Sequence, residues 1–103
     1  MTKLLFEETT PLGTRVRTTS SYWERIVQFK HPVMHGKEEL VRAILRNPMQ
    51  IRQSRKDRSV HLYYGLDSPY YVCVVVKCFD REGFIATTYR AEAIKEGDLL
   101  WHP

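Results

Sequence analysis

A chain of 103 residues with 16 Lys+Arg against 12 Asp+Glu, a formal charge of +4, suits one small basic domain and excludes a two-domain enzyme. At 43% hydrophobic and 12% aromatic it has the composition to bury a core, on the order of 65% of its unfolded surface at this size, which excludes a disordered chain. The longest apolar run, Tyr70 to Val76, falls far short of the ~20 residues that span a bilayer, so neither a membrane helix nor a membrane partner is expected.

The start, Met1-Thr2-Lys3-Leu4-Leu5-Phe6 before Glu7 and Glu8, has a three-residue apolar patch and no small-residue cleavage site. It does not read as a secretion signal, and a cytoplasmic location is expected. Residues 1–20 read as an N-terminal extension with a turn at Thr9-Thr10-Pro11-Leu12-Gly13 and a short strand over Arg15 to Thr19. The main domain is expected over 21–103. Ser21-Tyr22-Trp23-Glu24 has capping-box spacing and predicts a helix from about residue 21 to Lys30, with Tyr22, Trp23, Ile26 and Val27 on one face and a stop at His31-Pro32. A second helix is predicted from Lys37 to Arg46, with Leu40, Val41, Ile44 and Leu45 on one stripe, before Asn47-Pro48. β-branched and aromatic runs then predict strands over 49–54, 60–64, 70–79 and 84–90. The expected fold is α+β, with two N-terminal helices packed on one face of a four-stranded antiparallel sheet.

Cys73 and Cys78 fall five residues apart in one predicted strand, ~16 Å between Cα atoms and on opposite faces, so no intrachain bridge is expected. Two thiols also fall short of a zinc site, and no metal or cofactor is expected. Splitting each strand by parity assigns Val72, Val74, Val76 and Cys78 to the core. A glycine hairpin at Asp80 to Gly83 would pair Lys77 with Thr87 and bring them to the other face with Tyr89. Met49 and Ile51 take the core parity, as do Val60, Leu62 and Tyr64, which leaves Arg52, Ser54, His61 and Tyr63 on the open side.

Charge reinforces that face. From Arg15 to Arg58 there are 11 basic residues against four acidic ones, +7, and the remainder of the chain is −3. Such segregation fits either a nucleic-acid-binding face or the solvated sides of two helices. Cations and hydroxyls on the open face would hold phosphate, and tyrosines would stack on unpaired bases; an ordinary solvated sheet face is the alternative.

The residues Trp23-x-x-Ile26-x-x-x-Lys30-His31-Pro32, Ile44-Leu45-x-Asn47-Pro48-x-x-Ile51-Arg52-x-Ser54, Leu62-Tyr63-Tyr64, Val74-Val75-Val76-Lys77, Gly83-Phe84-Ile85-x-Thr87-x-Tyr89 and Ile94-Lys95-x-Gly97, in that order, resemble the barnase/EndoU/colicin/RelE-like small nucleases of phage and toxin type. The resemblance spans about residues 22 to 101. It implies a metal-independent endoribonuclease with its site on the open sheet face, and a possible neutralising protein partner. Residue by residue, it matches His31 to a polar position at the end of the first helix, Arg52 and Ser54 to a basic and hydroxyl pair, Lys77 to the end of the valine strand, and Thr87 with Tyr89 to a Thr-x-Tyr.

Metal-independent cleavage needs a deprotonated 2'-hydroxyl, a stabilised phosphorane and a protonated leaving group. The expected catalytic set is His31 as general acid or base, Arg52 and Lys77 on the phosphorane, and Thr87 orienting it. Lys30, Ser54, His61, Tyr63 and Tyr89 form the expected binding set. His31 has a second reading as a cation at a helix C-terminus. His61 has one as a solvent-facing strand residue. The pair His31 and His35 has metal-ligand spacing only on a continuous helix, which Pro32 and Gly36 argue against. The sequence lacks a clear glutamate base. A non-catalytic RNA- or protein-binding module is the alternative function.

Overall fold

The computed structural model describes residues 3–103, so the part of the leader reading that falls on Met1 and Thr2 lies outside the described residues. In chain order the elements are β1 (Leu4–Thr9), β2 (Arg15–Thr19), α1 (Ser20–Arg25), a π-helical turn (Ile26–Lys30), a 3-10 turn (Pro32–Met34), α2 (Glu38–Arg46), β3 (Gln50–Gln53), β4 (Val60–Asp67), β5 (Tyr70–Phe79), β6 (Glu82–Ala91) and β7 (Asp98–Trp101). Thr19 caps α1, accepting from the Tyr22 amide at 3.2 Å, so the expected capping box at Ser21 does not form. Glu24 instead accepts from Gln28 one turn on.

All strands join one seven-stranded sheet in the order β1-β2-β6-β5-β4-β3-β7. Every pairing is antiparallel except β2 with β6. This corrects the expected four-stranded antiparallel sheet. β1 and β2 belong to the sheet, and β7 adds an edge beside β3. The reason lies in Glu8, an inward-facing acid in a strand whose other inward residue is Phe6. Its carboxylate accepts from Arg42 Nε at 2.6 Å and Arg46 Nη1 at 2.9 Å, which ties β1 to α2 and hides the apolar period of the strand.

Both helical segments lie on one face of the sheet. Trp23, Ile26, Val27 and Met34 pack there with Val41, Ile44 and Leu45 of α2 against Ile51, Tyr63, Val72, Val74, Val76 and Ile85. Gly65 lets α2 lie flat on β4, since a Cβ there would come within 2.3 Å of Ile44 Cγ1.

Three parities depart from expectation. First, the β5–β6 connection is the pair Asp80-Arg81, with Asp80 at φ 55 and Phe79 opposite Glu82, in place of a glycine loop. Gly83 is needed for space, because a Cβ would approach Val76 Cγ1 to 2.8 Å. Lys77 thus faces Phe84, and Ala86 is the extra residue of a bulge that brings Thr87 opposite Val75. The bulge exchanges Phe84 for Ile85 in the core and still leaves Thr87 and Tyr89 on the uncovered face. Second, β4 has the reverse phase: Tyr63 is fully buried under the helices, its hydroxyl 3.0 Å from Thr10 Oγ1, while Leu62 and Tyr64 face the other way. With apolar residues at all three positions, alternation carried no information, and the pairing of Tyr63 with Ile51 and Val74 decides the phase. Third, Met49, expected inside, is 42% exposed, and Ile51 alone represents β3 in the core.

Candidate functional site

The uncovered face is ordered by strand register. One row reads Gln50, Tyr64, Cys73, Tyr89; the next reads Arg52, Leu62, Val75, Thr87; beyond it Val60 and Lys77 lead to Phe84. Its centre is apolar, with Leu62, Tyr64 and Cys73 buried and Val75, Tyr89 and Ile94 packed around them. The polar groups form the rim. Gly97, at φ +81, lets residues 92–97 lie down beside β3, where a Cβ would meet the Gln53 carbonyl at 2.6 Å. That approach lets Arg52 Nη1 donate to the Gly97 carbonyl at 3.2 Å while its Nε donates to Gln50 Oε1 at 2.9 Å.

The 92–97 segment walls a cleft of about 280 Å³ lined by Tyr64, Tyr89, Ala91, Glu92, Ala93, Lys95 and Glu96. A second cleft of about 220 Å³ is lined by Ser54, Arg55, Lys56, Leu62, Glu96 and Gly97, so Glu96 stands between the two. The His31 ring lies 5.8 Å, centroid to centroid, from that of Tyr89, which lines the first cleft. The π-helical turn determines this position: the His31 amide reaches back five residues to the Ile26 carbonyl at 2.8 Å, and Pro32 then stops the helix.

The floor of the first cleft holds its protons tightly. Burial pushes the Tyr64 phenol up to about 12, assisted by the Cys73 thiol beside it. Burial likewise lifts Cys73 to about 12 and raises Tyr89. Both phenols are therefore neutral hydrogen-bond donors near neutral pH. At the opposite end of the face Lys77 Nζ is held by Asp57 Oδ2 at 2.7 Å, and this contact keeps the Asp57 carboxyl well below the usual aspartate value.

Of the expected site residues, Arg52, Lys77, Thr87 and Tyr89 share the uncovered face and His31 borders it. They do not converge on one phosphate. Arg52 and Thr87 are three strands apart, about 14 Å at normal strand spacing. The Thr87 hydroxyl is buried without a partner. Ser54 lines the second cleft, but its Oγ accepts from the Lys56 and Asp57 amides and so shapes the 55–58 turn. Lys30 is exposed at the end of the π-helical turn. His61 and Tyr63 are corrections: both belong to the helix-covered side, Tyr63 in its core and His61 beside Cys78.

No protein-family model, curated protein or solved structure matches this chain. The nuclease resemblance therefore rests on the sequence motifs alone. No helix among the described residues is long and apolar enough to cross a membrane. The residues that sequence reasoning passed over are Tyr64, Glu92, Lys95 and Glu96. The signal for the last three was a charged segment, Glu92 to Glu96, that follows the threonine-rich β6 and ends at Gly97. Chemically, the assembled cleft offers an aromatic floor, two neutral phenol donors, two carboxylates, a lysine and a neighbouring imidazole.

Proposed function

We propose that the uncovered sheet face binds single-stranded RNA and cleaves it without a metal ion by attack of a ribose 2'-hydroxyl, as a cytoplasmic, toxin-like endoribonuclease with a neutralising protein partner. The observation that carries this reading is the imidazole of His31 packed against Tyr89, a residue that lines the same cleft as Glu92 and Glu96. Imidazole and carboxylate are the two groups that can exchange the protons of this reaction near neutral pH. Tyr64 and Tyr89 line the cleft with neutral phenols, the part-exposed Tyr89 ring supplies a surface for base stacking, and Lys95 supplies charge. Arg52 and Thr87 lie further along the face and act on the strand beyond the reacting phosphate, while Lys77 at the far end has its charge taken up by Asp57.

The test is incubation of RNA with the protein in chelator, with analysis of the 3' ends. The expected result is 2',3'-cyclic phosphate ends and a rate lowered about 10²–10⁴-fold by His31→Ala. Cleavage at the wild-type rate by that variant overturns the assignment of His31. Non-catalytic RNA binding is favoured by a different observation: Arg52 and Lys77 are already satisfied by the Gly97 carbonyl and Asp57. Salt-dependent binding with intact RNA ends is its signature. Growth arrest of a bacterial host on expression, relieved by Arg52→Ala or Thr87→Ala, is the signature of the enzyme.

A further inference from the structure

The two cysteines are free and lie in different surroundings. Cys73 is fully buried on the uncovered face beneath Tyr64 and Tyr89. Cys78 is half-buried near the end of β5, on the other side of the sheet, and its Sγ lies 3.5 Å from Nδ1 of His61 on β4. The next acceptor for that thiol, the Val76 carbonyl, is more distant at 3.9 Å. A thiol and an imidazole nitrogen within hydrogen-bond reach are the nucleophile and base of thiol chemistry. Neither residue belongs to the uncovered face.

We propose that Cys78 and His61 form a nucleophile–base pair that takes up a low-molecular-weight disulfide, leaving Cys78 as a mixed disulfide. The Cys78 proton moves to Nδ1 of His61, and the thiolate attacks one sulfur of the incoming disulfide. The disulfide bond breaks, a bond forms between Cys78 and the attacked sulfur, and the departing thiolate recovers the proton from the imidazolium as a free thiol. Cys78 is oxidised and half of the small disulfide is reduced, so electrons and protons balance without another reactant. Burial lowers the pKa of His61, which leaves its imidazole neutral and able to accept. Burial raises Cys78 as well, so its thiolate forms during attack and not beforehand. Cys73 is the internal control, since the same chain holds a thiol with no imidazole and no access.

The experiment treats the intact folded protein with oxidised glutathione and locates the adduct by peptide mass. The expected result is one adduct per chain, on Cys78, absent in Cys78→Ser and formed at least tenfold more slowly in His61→Gln with an unchanged circular dichroism spectrum. An equal rate in a folded His61→Gln, or equal labelling of Cys73 in the native protein, overturns the proposal. Should His61→Gln fail to fold, the wild type decides. Native Cys78 is expected to react at least as fast as it does in the urea-unfolded chain at the same pH and urea-corrected reagent activity, and slower native reaction overturns the proposal.

Discussion

Tyr63 and Tyr64 are neighbours in the chain and point to opposite faces of one strand, and the two faces have different physics. Tyr63 lies at 0% exposure beneath two helical segments, with its one polar atom answered by Thr10. Tyr64 lies at 1% exposure too, yet no helix covers it; residues around it and the 92–97 segment bury it, and a cleft opens at its edge. Burial alone therefore does not distinguish core from site. The distinction lies in what covers the residue: packed helix on one face, and a charged loop held by a single glycine on the other.

The largest expected effect separates the faces by stability. Leu45→Ala, under the helices at 0% exposure, is expected to cost about 2–5 kcal/mol by urea unfolding, through lost burial and the cavity left behind. Leu62→Ala, beneath the loop, is expected at the low end of that range, about 2 kcal/mol, because the loop can settle into the space. Equal losses would make the second face a core in its own right. Gly65→Ala tests the helix-covered side from the opposite direction: the added methyl collides with Ile44, and overpacking is expected to cost about 1–3 kcal/mol.

The phenols give a smaller and more specific comparison. Tyr64 has its folded pKa raised from the ordinary 10.0 to about 12, so its contribution to stability is full below pH 10 and is lost as pH rises through the folded value. Tyr63 is shifted in the same direction by burial beneath the helices. Ultraviolet phenolate titration of the single variants Tyr63→Phe and Tyr64→Phe should each remove a late-titrating phenol. Titration of either group at its ordinary value in the wild type would contradict the burial described for it.

The smallest expected effect concerns the rim. Asp57→Asn releases Lys77, and tighter RNA binding at low salt is expected, with the slope of log affinity against log salt steeper by about 0.7 for one added contact to a single strand. Lys77→Ala is expected to leave the slope close to wild type, since Asp57 already neutralises that charge. The Asp57 contact persists into acid: its depressed carboxyl contributes to stability above the ordinary value of 3.8, and that contribution fades as pH falls below it.

α2 and β5 were legible for different reasons. Glu38–Arg46 carries apolar residues at helical spacing, and Tyr70–Phe79 is an apolar run, rich in β-branched and aromatic residues, broken only by Lys77. β1 was illegible because Glu8 points inward; β4 and β6 were legible as strands but not in phase, β4 because Leu62-Tyr63-Tyr64 has no polar residue to mark it and β6 because a bulge at Ala86 shifts parity in mid-strand. The same bulge explains why Thr87 and Tyr89 reached the expected face through the wrong register. The cleft wall escaped notice because residues 92–97 have no period at all, and their position depends on a contact between Gly97 and β3 that only the folded chain defines.

The proposed function requires RNA to meet the face without helices. Amide chemical-shift mapping with a short single-stranded RNA of mixed sequence tests it most directly. The expected result is perturbation of His31, Tyr64, Thr87, Tyr89, Lys95 and Glu96, with Val41, Ile44 and Leu45 unmoved. Perturbation confined to α2 and the helix-covered side, or none at all at low salt, would contradict it.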